Sequence, residues 1–363
     1  MRMLPIVFAL ASAVLAQERT LLDGRPVIAI ANDKLTLSVR IEGGAMVRLV
    51  LNDDPDAVNP LHRLGHFVCV DGFGPVSPEE RKAGLPGHGE ANRVTWEVLS
   101  SQKSNGTTTV AFSATLPIVQ EQFRRTIRTV DGEQVIYIES ELENLLGFDR
   151  PINWGEHATI GPPFLEPGKT IVEMSATRSM TRSHESQSEK EPHRLASFKE
   201  FAWPNAPGLR GESIDVRTSP IESPIADHTT SRMDPARRLV FVTAFHPDKH
   251  LLLGYVFRRE EYPWTQLWEF YPGGDRNARG LEFASQPFDL PRREVIQTNS
   301  LFDTPTYRWL PAKSTIGSAF LMFYTRTPAG FRQVDDVTLE NGKLTIVDRA
   351  SRVNVVLAAS RPL

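Results

Sequence analysis

An all-β fold, an antiparallel sandwich or barrel, is the class this sequence predicts, and three observations predict it. Short segments rich in Val, Ile, Thr and aromatics recur along the chain, convincing amphipathic helices are absent, and tight-turn dipeptides separate the segments. Glycine (24) and proline (27) are frequent enough in 363 residues to punctuate many turns.

The segments run in order: "KLTLSVRI" from Lys34, "AMVRLVL" from Ala45, "RVTWEVLS" from Arg93, "TTTVAFSATL" from Thr107 and "QVIYIESELEN" from Gln134. "RLVFVTAF" from Arg238, "HLLLGYVF" from His250 and "STIGSAFLMFYT" from Ser314 follow. Each alternates or is continuously apolar, as half-buried or doubly covered strands do. Asn105-Gly106 and Asp131-Gly132 each lie between two such segments and read as hairpin turns, because Asn and Asp tolerate and Gly prefers the positive φ of those turns. Strand patterns continue on both sides of the polar stretch Met180 to Lys199, which predicts a surface loop inside one domain rather than a linker between two.

The first residues carry Arg2, an apolar run from Leu4 to Ala16, and small residues Val14 and Ala16 at the positions a signal peptidase reads. About 12 apolar residues are too few for a membrane core of about 30 Å. Residues 1–16 are therefore expected to be a signal peptide and 17–363 the mature domain, periplasmic or secreted, with no membrane attachment after cleavage. Cys69, the single cysteine, excludes a disulfide scaffold and sits in the apolar pattern "HFVCV", where a small buried hydrophobe is expected. A net charge of -3 without a long run of Lys or Arg excludes a nucleic-acid or anionic-membrane footprint and favours neutral or weakly charged ligands. Nothing points to a protein partner.

Of nine histidines, His62, His66, His184, His193, His228, His246 and His250 lie near turns or polar segments, and a solvated or hydrogen-bonded surface role is expected for each. His88 and His157 differ. Glycines flank His88 in "GLPGHGEANRVTWEV", letting backbone and imidazole approach a ligand, and small residues follow His157 in "INWGEHATIGPPFL". If Asn153 to His157 is extended, His157 shares a face with Asn153, while Glu156 and Trp154 point the other way. Glu156 then anchors the strand, and His157 must find a partner elsewhere.

His88, Glu90 and His157 would make a two-His-one-carboxylate metal set. However, the denser H-x-H-with-Glu pattern, H-E-x-x-H and paired cysteines are all missing, so no metal is expected. No G-x-S-x-G elbow supports serine hydrolysis, and "GKT" at Gly168 lacks the glycine spacing of a phosphate loop. "EEYPWTQLWEFYPGG" gathers Tyr262, Trp264, Trp268, Phe270 and Tyr271 beside carboxylates. Such a wall suits the mixed C–H and hydroxyl surface of a sugar, although the same rings equally suit a core. Trp264 and Trp268, four apart, would share a strand face.

Taken in order, several segments resemble the aldose 1-epimerase (galactose mutarotase) superfamily in its divergent bacterial members. "NDKLTLSVRIEGGAMVRLVLNDDPDAVNPL" is similar to its opening strands, "GHGEANRVTWEV" to its H-G-x-A segment and Trp strand, "INWGEHATIG" to the strand bearing its second His, and "GLEFASQPFD" to the late strand bearing its catalytic Glu. The resemblance implies a large antiparallel β-sandwich, the galactose mutarotase-like supersandwich, with a carbohydrate ligand and no cofactor. It also implies interconversion of sugar anomers by acid-base catalysis, with His157 as acid and His88 a second imidazole. Alignment through Gly-Leu and Gln puts Ala284 at the usual Glu position, leaving Glu282, two residues earlier on the same face, as base about 6 to 7 Å along the strand. Arg93, Asn153, Glu90, Trp264 and Trp268 are the expected substrate-binding groups. The alternative that Ala284 motivates is a non-catalytic carbohydrate-binding protein of the same fold.

Overall fold

A computed structural model describes residues 19–184 and 192–363. The expected signal peptide lies outside the described residues, as does the middle of the Met180–Lys199 stretch.

Two antiparallel sheets face each other across the main core. The first, eight strands among the described residues, has the order Ile171–Met174, Leu239–His246, Leu251–Arg258, Thr315–Arg326, Val135–Asn144, Glu121–Val130, Thr107–Leu116 and Glu97–Ser104. The second runs Glu200–Ala202, Ala176–Thr181, Ile225–Met233, Trp264–Tyr271, Glu282–Ala284, Trp154–His157 and Phe67–Val70. A short pair, Thr159–Ile160 with Ala278–Gly280, extends it. The β-sandwich expected from the sequence is thus the architecture found.

Central strands of the first sheet are apolar on both faces, and the structure supplies the reason. Ile136, Ile138, Leu253, Tyr255, Phe257, Phe320 and Met322 face the second sheet. Their neighbours Val135, Tyr137, Leu252, Val256, Leu321 and Phe323 face a three-stranded sheet, Asp336–Glu340, Lys343–Asp348 and Val353–Ala358, through Leu344, Ile346, Val355 and Leu357. With both faces covered, alternation gives way to continuous apolar runs. Asn105-Gly106 forms the predicted two-residue hairpin, with φ of 49° and 72° and Ser104 opposite Thr107.

A four-stranded sheet, Arg19–Leu22, Arg25–Ala31, Leu35–Arg40 and Met46–Leu51, closes one end of the core with Ile28, Ile30, Leu37 and Val39. Its far margin brings Arg25 and Arg40 toward the second sheet's outer face. Among the described residues, the helices with more than one turn's worth of residues are Pro78–Lys82, opened by a Ser77/Glu80 capping box, and Arg292–Thr298.

Between the two sheets lies a buried ionic cluster. Arg125 reaches Glu156 at 2.5 Å, His66 Nε2 lies 3.0 Å from the other oxygen of Glu156, and Tyr262 donates to the same carboxylate at 3.3 Å. His66, Arg125 and Glu156 are fully buried, with His66 stacked on Phe320 at 5.3 Å. Glu156 anchors its strand as the alternation implied, and Arg125 holds its carboxyl below the usual range despite burial. His66 is a correction: it is a core residue rather than a surface one.

Candidate active site

The second sheet's outer face carries a cavity of about 650 Å³. Period-two alternation builds its floor. His157 pairs with Phe67 across one strand boundary, and Glu156 pairs with Phe283 across the other, which sets Glu282 beside His157. His157 Nε2 lies 3.2 Å from Glu282 Oε1, and its Nδ1 lies 3.0 Å from the Thr159 hydroxyl. Gly280 is what lets the carboxylate lie there, since a Cβ at that position would come within 2.5 Å of Glu282 Oε1.

Aromatic rings enclose this pair. Phe67 stacks on His157 at 4.4 Å, Trp268 meets it edge-on at 6.1 Å, and Phe73 lies at 5.9 Å. Burial pushes the His157 imidazole well below its ordinary value and the Glu282 carboxyl well above its own. Both directions favour neutral forms, with the shared proton on Glu282.

His88 meets the His157 ring edge-on at 5.1 Å and adopts a φ of 65°, an uncommon conformation for a non-glycine residue. The Gly74 N–H donates to its Nδ1 at 3.2 Å, so its own proton sits on Nε2, and burial pushes it down to about 4. Cys69 lies beneath, its Sγ 3.7 Å from the same Nδ1, and burial raises its thiol well above the ordinary value. It is a small buried hydrophobe.

Of the residues singled out in the sequence, His88, His157, Glu282, Trp268 and Arg93 line one cavity. Three others lie outside it. Both oxygens of Glu90 accept backbone N–H groups of Ile118 and Val119, so Glu90 holds that turn and does not join His88 and His157. Asn153 is fully buried, and its carbonyl accepts the Asp71 N–H at 2.8 Å. Trp264 shares the strand face of Trp268 but is covered by the 302–305 segment, with its indole N–H donating to Pro305 O at 2.9 Å. Ala284 is fully buried against Cys69 and Phe73. The Phe73 ring fills the space over Gly155 and Ala284 where a longer side chain would reach.

Sequence reasoning missed other parts of the lining. His228, expected at the surface, is buried in the wall, and Asp289 stands beside it with its carboxylate 3.7 Å from His228 Nδ1. Arg182, from the stretch expected to be a surface loop, is 3 % exposed. It pairs with Asp289 and donates to Gln266 at 3.0 Å. A buried arginine inside a polar run leaves no hydrophobic pattern to find.

No family model and no curated protein matches this sequence. Solved structures do. A galactose mutarotase-like protein from Clostridium acetobutylicum superimposes with a TM-score of 0.62 at 13% identity, covering 85% of this chain and 98% of that one. A galactose mutarotase related enzyme from Lactobacillus acidophilus gives 0.55 at 12% identity, covering 86% and 100%. A TPR-domain containing protein from Parabacteroides distasonis gives 0.56 at 11% identity over 93% of this chain and 52% of its own. The chain has the galactose mutarotase-like fold, as the sequence resemblance implied. That fold also occurs within a larger TPR-containing chain, so function must be argued from the site.

Proposed function

We propose that the protein acts on carbohydrate and interconverts sugar anomers at the His157–Glu282 pair. The observation that carries this reading is the 3.2 Å contact between imidazole and carboxyl at the floor of an aromatic-walled cavity large enough for a sugar.

The pair is adjacent rather than set across a ring, and pyranose chemistry accommodates that arrangement. O1 and the ring oxygen O5 are both bonded to C1, so neighbouring groups reach both. His157 Nε2 takes the O1 proton while Glu282 gives its proton to O5. The C1–O5 bond breaks with its electron pair going to O5, and C1=O1 forms. The site is left as an imidazolium beside a carboxylate; their mutual attraction offsets part of the cost of charging two buried groups, and that cost drives the reverse transfers. Rotation about C1–C2 and the reverse transfers give the other anomer. Burial therefore assigns the acid to Glu282 and the base to His157, the reverse of the roles the resemblance implies. Trp268 offers a face to the sugar C–H groups, and the His88 Nε2–H is a donor for a hydroxyl.

The test is mutarotation of freshly dissolved single anomers followed by polarimetry, with His157→Ala and Glu282→Gln as controls. The expected result is a wild-type rate above that of buffer and variants at the buffer rate. Wild type indistinguishable from buffer across a panel of aldoses overturns the catalytic reading, and retained sugar binding would then identify a lectin-like protein. The export expected from residues 1–16 belongs to the same proposal, and a mature N-terminus at Gln17 by mass spectrometry would support it.

A further inference from the structure

The cavity rim is cationic in a chain whose net charge is -3. Arg25, Arg40 and Arg93 all line it, and among the described residues none of them has a carboxylate within ion-pair distance. Arginines buried behind the lining behave differently: Arg182 pairs with Asp289 and Arg125 with Glu156. The acids of the lining are largely engaged as well. Glu282 contacts His157 and Asp289 is held by Arg182, while exposed Glu42 acts on Arg40 from beyond ion-pair distance.

Strand register forces two of these guanidinium groups together. Arg40 lies opposite Val27 in the antiparallel pair, and Arg25, two residues before Val27, projects from the same face. Residues so placed are diagonal neighbours, within reach of each other for long side chains. Like charges brought this close repel, and an anion between them would relieve the repulsion. Burial and the Arg25 charge depress the Arg40 guanidinium below its ordinary value, outweighing the opposite pull of the Glu42 and Asp23 carboxylates. Arg93 approaches from the segment that also carries His88, so the three arginines and the His157–Glu282 pair open onto one hollow.

We propose that the ligand is an acidic sugar, whose carboxylate, sulfate or phosphate group is held by Arg25, Arg40 and Arg93 while its ring rests against Trp268 above His157 and Glu282. Guanidinium forks match the paired oxygens of all three anions. The neutral or weakly charged ligands expected from overall composition give way to an anionic one because charge is distributed locally. This inference rests on the carbohydrate reading and deepens it.

Calorimetry at low salt, on the full chain, separates the outcomes. The titrants are galacturonate, glucuronate, galactose 6-sulfate and glucose 6-phosphate, against galactose, glucose, inorganic sulfate and inorganic phosphate. The expected result is at least tenfold tighter binding of one acidic class than of its neutral parent, weakened by 0.5 M NaCl. An Arg25→Gln/Arg40→Gln double variant should lose that tenfold while keeping any affinity for the neutral parent, and the class bound best identifies the anion. Neutral parents binding as tightly as the acids, or a double variant binding acids as wild type does, overturns this inference and leaves the carbohydrate reading standing. Inorganic sulfate or phosphate binding as tightly as the sugar acids reduces the rim to an anion site and also overturns it. No binding of any sugar removes both readings.

Discussion

His157 and Glu156 are consecutive in the chain, yet they serve opposite sides of one sheet. The imidazole meets Glu282 at 3.2 Å in the cavity, while the carboxylate lies in the buried core between Arg125 and His66. One strand thus supplies both a face of the cavity floor and its foundation, and the two residues should fail in different ways.

Glu156→Gln should be a stability variant. It leaves Arg125 buried without its counter-charge, and breaking such a pair from one side costs about 3–5 kcal/mol. Urea denaturation should show the loss, while sugar affinity of the remaining folded protein stays near wild type. An undiminished denaturation midpoint would contradict the role given to this cluster.

Glu282→Gln should spare the fold and remove the chemistry. General acid-base groups contribute about 10²–10⁴-fold, and the amide cannot supply the proton. The wild-type pH profile should be a broad plateau. Its acid limb lies well below the ordinary imidazole value, where His157 gains a proton, and its alkaline limb lies above the ordinary carboxyl value, where Glu282 loses one. The variant should follow the buffer rate at every pH; a variant that keeps the wild-type rate and profile would remove Glu282 from the reaction.

Gly280→Ala tests positioning rather than chemistry. The added methyl would lie 2.5 Å from Glu282 Oε1 and must push the carboxylate from His157. Turnover should fall by about tenfold or more with sugar affinity little changed, since misplacement of about 1 Å at a reacting group costs rate on that scale. Wild-type turnover would mean that the contact is not required.

Stability should fall in mild acid. His88 and His228 are pushed down to about 4 by burial. Unfolded, they titrate near 6.5, so below that pH the unfolded chain takes up protons that the folded chain refuses. Their contribution is complete above 6.5 and is lost as pH falls toward about 4, with a slope of about 1.4 kcal/mol per pH unit for each buried histidine. Glu121, Glu173, Glu269 and Glu282, raised by burial, act in the opposite sense above their ordinary 4.5, but His62, His66, His157 and His246 are held down by burial as well and keep the balance on the side of the imidazoles. The urea midpoint should therefore drop between pH 7 and pH 5, and His228→Gln should shallow the slope.

The sequence showed the architecture wherever one covered face, or two apolar ones, left a pattern. Each of the eight quoted segments overlaps a strand, although the one from Arg93 becomes strand only at Glu97. It failed at Ile225–Met233, where Asp227, His228, Thr229, Thr230 and Ser231 are all buried. Polar residues there satisfy a site wall rather than a core, so neither alternation nor an apolar run marks the strand. Alternation was enough to separate Glu156 from His157. What it could not give was convergence: Arg25 and Arg40 come from the four-stranded sheet and Asp289 from the segment after Glu282–Ala284, and they line one cavity only once the sheets have packed. Nor does a strand pattern show that Phe73 lies across Ala284 and shuts that position.

The ionic cluster beneath the cavity floor has one more implication. Because Arg125, Glu156 and His66 brace the floor from inside, substitutions there would endanger the whole molecule. The rim arginines sit at strand ends and turns, where exchange has little bearing on folding. On the proposed reading, ligand preference and structural integrity would be held by separate sets of residues, and the preference could drift by a few exchanges at the mouth while the floor below stays as it is.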